Sequence, residues 1–165
     1  MKTLVGYALL GKTGYIRERP MGQDSILPAP NGETELFWRQ AALNIIELPY
    51  CEPCDFLVFY PAAYCPNCLN RLSSSRRLSN RGKLHSWTQV HVQALPGQRG
   101  ALPIAEVVLG PHSELVVAMN MSDKLVHEAK LDIPVVVSFV KKSDTIWLPI
   151  AVTVSEHADL EGGKA

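Results

Sequence analysis

The rhythm of apolar and polar positions along the chain changes near residue 81. Between Thr34 and Leu48 apolar side chains recur at helical spacing. Phe37, Ala41 and Ile45 fall at i, i+4 and i+8, with Trp38, Ala42 and Ile46 beside them. This spacing predicts a helix over 34–48, capped by Thr34, with Glu33 and Glu35 at the positive end of its dipole and Pro49 as its stop. From Gly82 the period drops to two. Leu84, Ser86, Thr88, Val90 and Val92 alternate with His85, Trp87, Gln89, His91 and Gln93, which predicts a strand with two differently dressed faces. Ile104–Leu109, Leu115–Met119, Val135–Val140 and Ile146–Val154 predict four further strands. Turn signals at Pro96-Gly-Gln-Arg-Gly100, Gly110-Pro111 and Lys141–Thr145 separate them, and Ser122 to Lys130 has room for one helical turn or a loop. Five short strands at near-regular spacing predict a small closed barrel.

The two ends carry weaker patterns. Residues 1–33 read as an irregular extension. Leu4–Leu10 and Tyr15–Arg19 are strand-like, and Pro20, Pro28 and Pro30 mark an extended stretch. The segment from Ser155 onward is polar and contains glycine, which predicts a flexible tail over 156–165.

Cysteine usage then changes the picture. All 4 cysteines fall in two C-x-x-C pairs, Cys51-Glu-Pro-Cys54 and Cys65-Pro-Asn-Cys68. A tetrahedral zinc ion takes four soft ligands at about 2.3 Å, and a tight C-x-x-C turn offers two thiolates to one side of it. Asp55-Phe-Leu-Val-Phe-Tyr60 between the pairs suits a short strand ended by Pro61. The separation is somewhat shorter than the usual paired-cysteine zinc spacing. A zinc ribbon over 49–80 with Cys51, Cys54, Cys65 and Cys68 as ligands is therefore predicted, ahead of a barrel over 81–155. With four cysteines the site is closed, which suits a structural metal. Two disulfides or four unrelated thiols are the competing interpretations. Disulfides are rare in the cytosol, and a redox pair would want a βαβ pattern beside it.

Composition narrows the function classes. The 16 basic and 16 acidic residues cancel, so a whole-chain electrostatic footprint for nucleic acid is missing. The 47% of hydrophobic residues suffices for a core, no apolar run reaches the roughly 18 residues of a membrane span, and the opening Met1-Lys-Thr-Leu-Val lacks a secretory h-region. A cytoplasmic location is the expectation. The one basic cluster, Arg71, Arg76, Arg77, Arg81 and Lys83, is either a solvated hairpin edge or a surface for a phosphate of coenzyme A or RNA. Gly6-Tyr-Ala-Leu-Leu-Gly11-Lys12-Thr13 fits the phosphate-loop pattern without its context. Only five residues precede it, its variable positions are bulky, and Pro20 cuts short any following helix. His85, His91, His112, His127 and His157 form no catalytic constellation: six residues of strand separate His85 from His91 by about 20 Å.

Glu35-Leu-Phe-Trp38 in the helix, Cys51-x-x-Cys54, Phe59-Tyr-Pro61 running into Cys65-Pro-Asn-Cys68, the strand Gly82-Lys-Leu-His-Ser-Trp-Thr88 and the strand Ile133-Pro-Val-Val-Val-Ser-Phe139 occur in this order. Over about residues 28–152 the chain resembles the zinc-ribbon OB-fold proteins associated with acyl-CoA metabolism. The resemblance implies a mainly β fold with a short N-terminal helix: a rubredoxin-like zinc ribbon followed by a five-stranded OB-fold barrel. It also implies a non-catalytic subunit in a hetero-oligomer with a larger thiolase-superfamily enzyme, such as a thiolase, acyltransferase or aldolase. Structural Zn²⁺ would be its metal. An acyl-CoA thioester would lie at a shared interface, with Arg76 and Arg77 as candidate contacts to the CoA phosphates. Residues 1–27 have no obvious counterpart, and Ile133-Pro134 stands where that family often has glycine and a variable residue. The competing expectation is a binder of single-stranded nucleic acid, a use that both ribbons and OB barrels serve.

Overall fold

The structure is a computed structural model that describes residues 27–92, 100–110 and 115–162. The expected strands at the start of the chain and the decoy phosphate-loop pattern lie outside the described residues. In order, the elements are helix α1 (Glu35–Ala41), strands β1 (Ile46–Cys51), β2 (Phe56–Leu57), β3 (Ser74–Leu78), β4 (Arg81–Val90), β5 (Leu102–Leu109) and β6 (Val116–Met121), helix α2 (Asp123–Glu128), strands β7 (Pro134–Lys141) and β8 (Trp147–Thr153), and helix α3 (Val154–Gly162). β2, β1 and β3 make a three-stranded sheet, and β4-β5-β6-β8-β7 close into a barrel. The chain is mainly β, as its periodicity predicts.

The helix expected over 34–48 ends at Ala41, and its last predicted turn is strand β1. The reason is local. Asn44 adopts φ 59°, and the N–H groups of Asn44 and Ile45 turn back onto the carbonyls of Ala41 (3.0 Å) and Gln40 (3.0 Å). That pair of bonds is a Schellman closure, with asparagine in the left-handed position that glycine usually fills. Ile46-Glu-Leu then continues at period two. Pro49 does not end the strand: its carbonyl accepts the N–H of Val58 at 2.9 Å. The expected cap also moves. The Thr34 side chain makes no cap bond, while Asn31 Oδ1 accepts the N–H groups of Glu33 (3.2 Å) and Thr34 (2.9 Å).

The segment expected as a flexible tail is in good part helix α3. Thr153-Val-Ser-Glu156 is a capping box. Glu156 Oε2 accepts the Thr153 N–H at 2.9 Å, and Thr153 Oγ1 accepts the Glu156 N–H at 3.2 Å. Among the described residues the buried polar side chains are Ser122, Ser138 and Thr153, and each meets α3. Ser122 Oγ donates to Glu156 Oε2 (2.8 Å), Ser138 Oγ lies 3.4 Å from His157 Nδ1, and Thr153 shares a bond with Ser155 (3.0 Å). Between Ser122 and Lys130 the chain forms α2, with Ser122 Oγ accepting the Leu125 N–H at 3.1 Å.

One apolar cluster joins both parts of the molecule. Leu84, Ala105, Val107, Met119, Val135, Val137 and Phe139 fill the barrel, and Ala41, Ile46, Leu48 and Leu57 pack into the same cluster from α1 and the ribbon. Phe37 meets Phe139 edge-on at 6.3 Å. Gly82 lets β4 approach β5: a Cβ there would stand 2.5 Å from the Val108 carbonyl oxygen and 2.6 Å from Val107. Asn80 bolts the two parts together, its Nδ2 donating to the carbonyls of Asn44 (2.9 Å) and Val137 (3.0 Å).

Candidate metal centre

Strand β1 ends on Cys51, and β2 begins two residues after Cys54, so the first cysteine pair sits in the turn between them. The second pair closes a loop whose sides are tied by Tyr64 pairing with Arg71, by Cys65 N–H to Asn70 carbonyl (2.9 Å) and by Leu72 N–H to Ala63 carbonyl (2.8 Å). The two turns are built alike. The residue after each second cysteine is left-handed, Asp55 at φ 48° and Leu69 at φ 58°. Each also donates backward, by three residues from Asp55 N–H to the Glu52 carbonyl (3.2 Å) and by four from Leu69 N–H to the Cys65 carbonyl (2.9 Å). Left-handed backbone is costly for residues bearing a Cβ, so its occurrence at both equivalent positions marks one imposed geometry.

The turns bring the four Sγ atoms within 4.8 Å of one another, and Cys51 Sγ lies 3.5 Å from Cys68 Sγ. A tetrahedral zinc–thiolate centre with bonds of about 2.3 Å has sulfur–sulfur edges of about 3.8 Å, so the cluster has the size of such a centre. None of the four cysteines is in a disulfide. Cys51 and Cys65 are buried, Cys54 is half-buried and Cys68 is exposed. Among the described residues no other group of three or more His, Cys, Asp or Glu side chains is placed to hold a metal.

Crowding sets the protonation of the thiols. Burial pushes the Cys51 thiol up. The Cys68 sulfur beside it, and then burial, push Cys54 up to about 12. Burial also works to raise Cys65, but the N–H groups of Cys68 and Asn67 aimed at its sulfur outweigh that, and it falls to about 7. Four thiolates cannot ionise together in this space unaided, and a divalent cation at their centre removes the conflict. The donor set therefore fits Zn²⁺, and with all four positions taken by protein sulfur it leaves none for water or substrate.

A polar frame supports the first turn, and sequence reasoning did not find it. Tyr50 donates from its hydroxyl to Asp55 Oδ1, which pushes the phenol pKa up, and Arg76 lies over the Tyr50 ring at 3.6 Å while reaching Asp55 Oδ1 at 3.3 Å. Arg77 Nε pairs with Glu47 Oε2 at 3.0 Å. A hydrogen bond from Ser75, and then Arg77, hold Glu47 below the usual carboxylate range against its partial burial. Ser74 donates to Glu52 at 2.8 Å. Each acid and its partner on β3 lie about 20 to 30 residues apart, joined only by the β1–β3 register that sets Glu47 against Arg77 and Tyr50 against Ser74. Arg76 and Arg77, expected to contact CoA phosphates, thus each spend an N–H on a carboxylate.

The remaining candidates are scattered. His85 on β4, His91 just beyond its end and His127 on α2 are exposed, and His112 lies outside the described residues. Trp38 is half-buried, stands edge-on to Phe37 at 5.0 Å and forms one wall of a shallow cleft of about 520 Å³ with Pro30, Glu35, Arg39, Asp144 and Thr145. β5 and β6 carry no lysine or arginine to track a nucleic-acid backbone. No helix among the described residues is long and apolar enough to cross a membrane.

No family model and no curated protein matches the chain. Solved structures do match. One is a chain of the "Ltp2-ChsH2(DUF35) aldolase", 19% identical, covering 77% of this chain and 98% of that chain at a TM-score of 0.65. Another is a protein of unknown function from the DUF35 family of Sulfolobus solfataricus, 13% identical, covering 74% of this chain and 85% of that chain at a TM-score of 0.52. At such identities the likeness speaks for the fold. The structural neighbours of this chain are thus DUF35 proteins, and its own four cysteines form the one cluster among the described residues suited to a metal.

Proposed function

We propose that this chain is a non-catalytic zinc-ribbon and OB-fold subunit that docks on and supports a larger thiolase-superfamily enzyme acting on acyl-CoA substrates in the cytoplasm. The observation that carries this reading is the match of 77% of this chain to 98% of a chain of the Ltp2-ChsH2(DUF35) aldolase. The closed cysteine cluster supports it, because a site without an open ligand position cross-links the chain and activates nothing. In this reading Cys51, Cys54, Cys65 and Cys68 hold Zn²⁺, which fixes the two turns relative to each other. The larger subunit supplies nucleophile and base. Arg76 and Arg77 frame the ribbon through Asp55 and Glu47, and the outward edges of their guanidiniums offer further N–H donors to CoA phosphates at the shared surface.

Affinity purification of the full chain from its native host, followed by mass spectrometry and metal analysis, tests the proposal. A larger thiolase-type chain in fixed stoichiometry, one zinc per copy of this chain, and acyl-CoA turnover by the complex alone are expected. Turnover by the isolated chain, or recovery with single-stranded RNA in place of an enzyme, would overturn it.

A further inference from the structure

The second cysteine turn carries a leucine in a position that suits leucine poorly. Leu69 holds φ 58° and its side chain is 75% exposed. Left-handed backbone costs an L-residue roughly 1–2 kcal/mol, which glycine escapes. Burial does not offset that cost here, since the side chain lies in solvent. Neither local turn geometry nor the core accounts for a leucine at this site. The same stretch displays two more large apolar side chains to solvent, Tyr60 at 76% and Tyr64 at 58% exposure. Exposed apolar groups gathered in one stretch, with strained backbone among them, are the marks of a contact surface.

The charge of the stretch says what kind of surface it fits. From Tyr60 to Leu72 the sequence holds no aspartate or glutamate and one cation, Arg71. Arg71 is exposed and, among the described residues, makes no ion pair. A second copy of this chain is a poor occupant. A two-fold interface sets the same patch against itself, and this patch would bring two copies of Arg71 into it and no carboxylate. We infer that Tyr60, Tyr64 and Leu69 form a docking surface for the larger enzyme subunit, with Leu69 as the anchor entering an apolar pocket whose rim carries a carboxylate for Arg71. This rests on the reading of the chain as an enzyme's accessory subunit. It goes further by naming the face of the ribbon that makes the contact and the chemistry of the surface that receives it.

Leu69→Gly gives a clean test, because it removes the anchor while relieving the backbone. The variant is expected to keep its zinc and to melt no lower than the wild type. Its affinity for the purified larger subunit, identified from the wild-type complex and measured by biolayer interferometry, should fall at least about tenfold, the loss typical of truncating a central interface anchor. Arg71→Glu should weaken binding further at low salt, and Leu43→Ala, at an exposed leucine beyond α1, should leave it unchanged. Unaltered affinity in Leu69→Gly would overturn the docking surface and leave the accessory-subunit reading standing. A homodimer of the wild type that Leu69→Gly dissociates would also overturn it, by naming a different occupant. Failure of the wild type to hold any larger enzyme would remove the functional reading itself.

Discussion

The base of the ribbon and its tip are a few residues apart and are held by different physics. At the base, Ile46, Leu48 and Leu57 are buried and belong to the same apolar cluster as the barrel. At the tip, the side chains from Cys65 to Leu72 are mostly exposed, and the buried exception is Cys65 itself. The barrel and the ribbon's base gain stability in proportion to apolar area removed from water. The tip has too little of that area to order a loop with a left-handed leucine, and in the proposed zinc-bound chain its order would rest on four sulfurs sharing a cation. Small sheets without cores need such a staple. The comparison predicts that loss of the metal costs the chain its tip and spares its barrel.

The sharpest way to break the comparison is to remove the metal. Cys51→Ala, or chelation of the wild type, should abolish zinc binding and expose amides 51–72 to rapid hydrogen exchange. Structural zinc in finger peptides is worth on the order of 10 kcal/mol. The amides of β7 should stay protected, and their joint loss would show that tip and barrel form one cooperative unit. Phe139→Ala should act the opposite way. Phe139 is 2% exposed at the centre of the cluster. Its truncation should cost about 3–5 kcal/mol in urea unfolding with zinc content unchanged in the folded protein.

Acid should act on the tip first. Cys51 and Cys54, whose thiols are pushed up, Cys54 to about 12, must each lose a proton when zinc binds. At least two protons per metal make affinity fall at least about a hundredfold per pH unit, or about 2.7 kcal/mol. The fall should steepen below pH 7, where Cys65, at about 7, begins to hold its proton. Chelator competition between pH 6 and 8 measures the slope, and a flat profile would mean that the thiols are ionised before the metal arrives. The smallest effect should come at the joint. Asn80→Ala removes bonds to the Asn44 and Val137 carbonyls and should cost about 1–2 kcal/mol without altering zinc affinity.

What was legible in the sequence was written locally. The cysteine pairs declare themselves by spacing, and the barrel strands by alternation of side chains such as Leu84 and Trp87. Two of the misread elements also had local signals, which general polarity hid. Asn44 was a helix-closing residue between apolar neighbours, and Thr153-Val-Ser-Glu156 was a capping box inside a stretch that looked like a tail. The frame of Tyr50, Asp55 and Arg76 was different in kind. Arg76 is 21 residues from Asp55, and only the pairing of β1 with β3 sets them together, so no inspection of the sequence order alone would have joined them.

Helix α3 has a consequence for anyone who would trim this chain. β6 and β8 meet through two parallel pairs, Asn120 with Ile150 and Met121 with Ala151, the thinnest seam of the barrel wall. Glu156 reaches across beside it, from the cap of one helix to the cap of the other. A cut at Val154 would leave every strand intact and take from three interior hydroxyls their partners on α3. The last helix is thus a clasp, and the barrel should be handled as ending at Gly162.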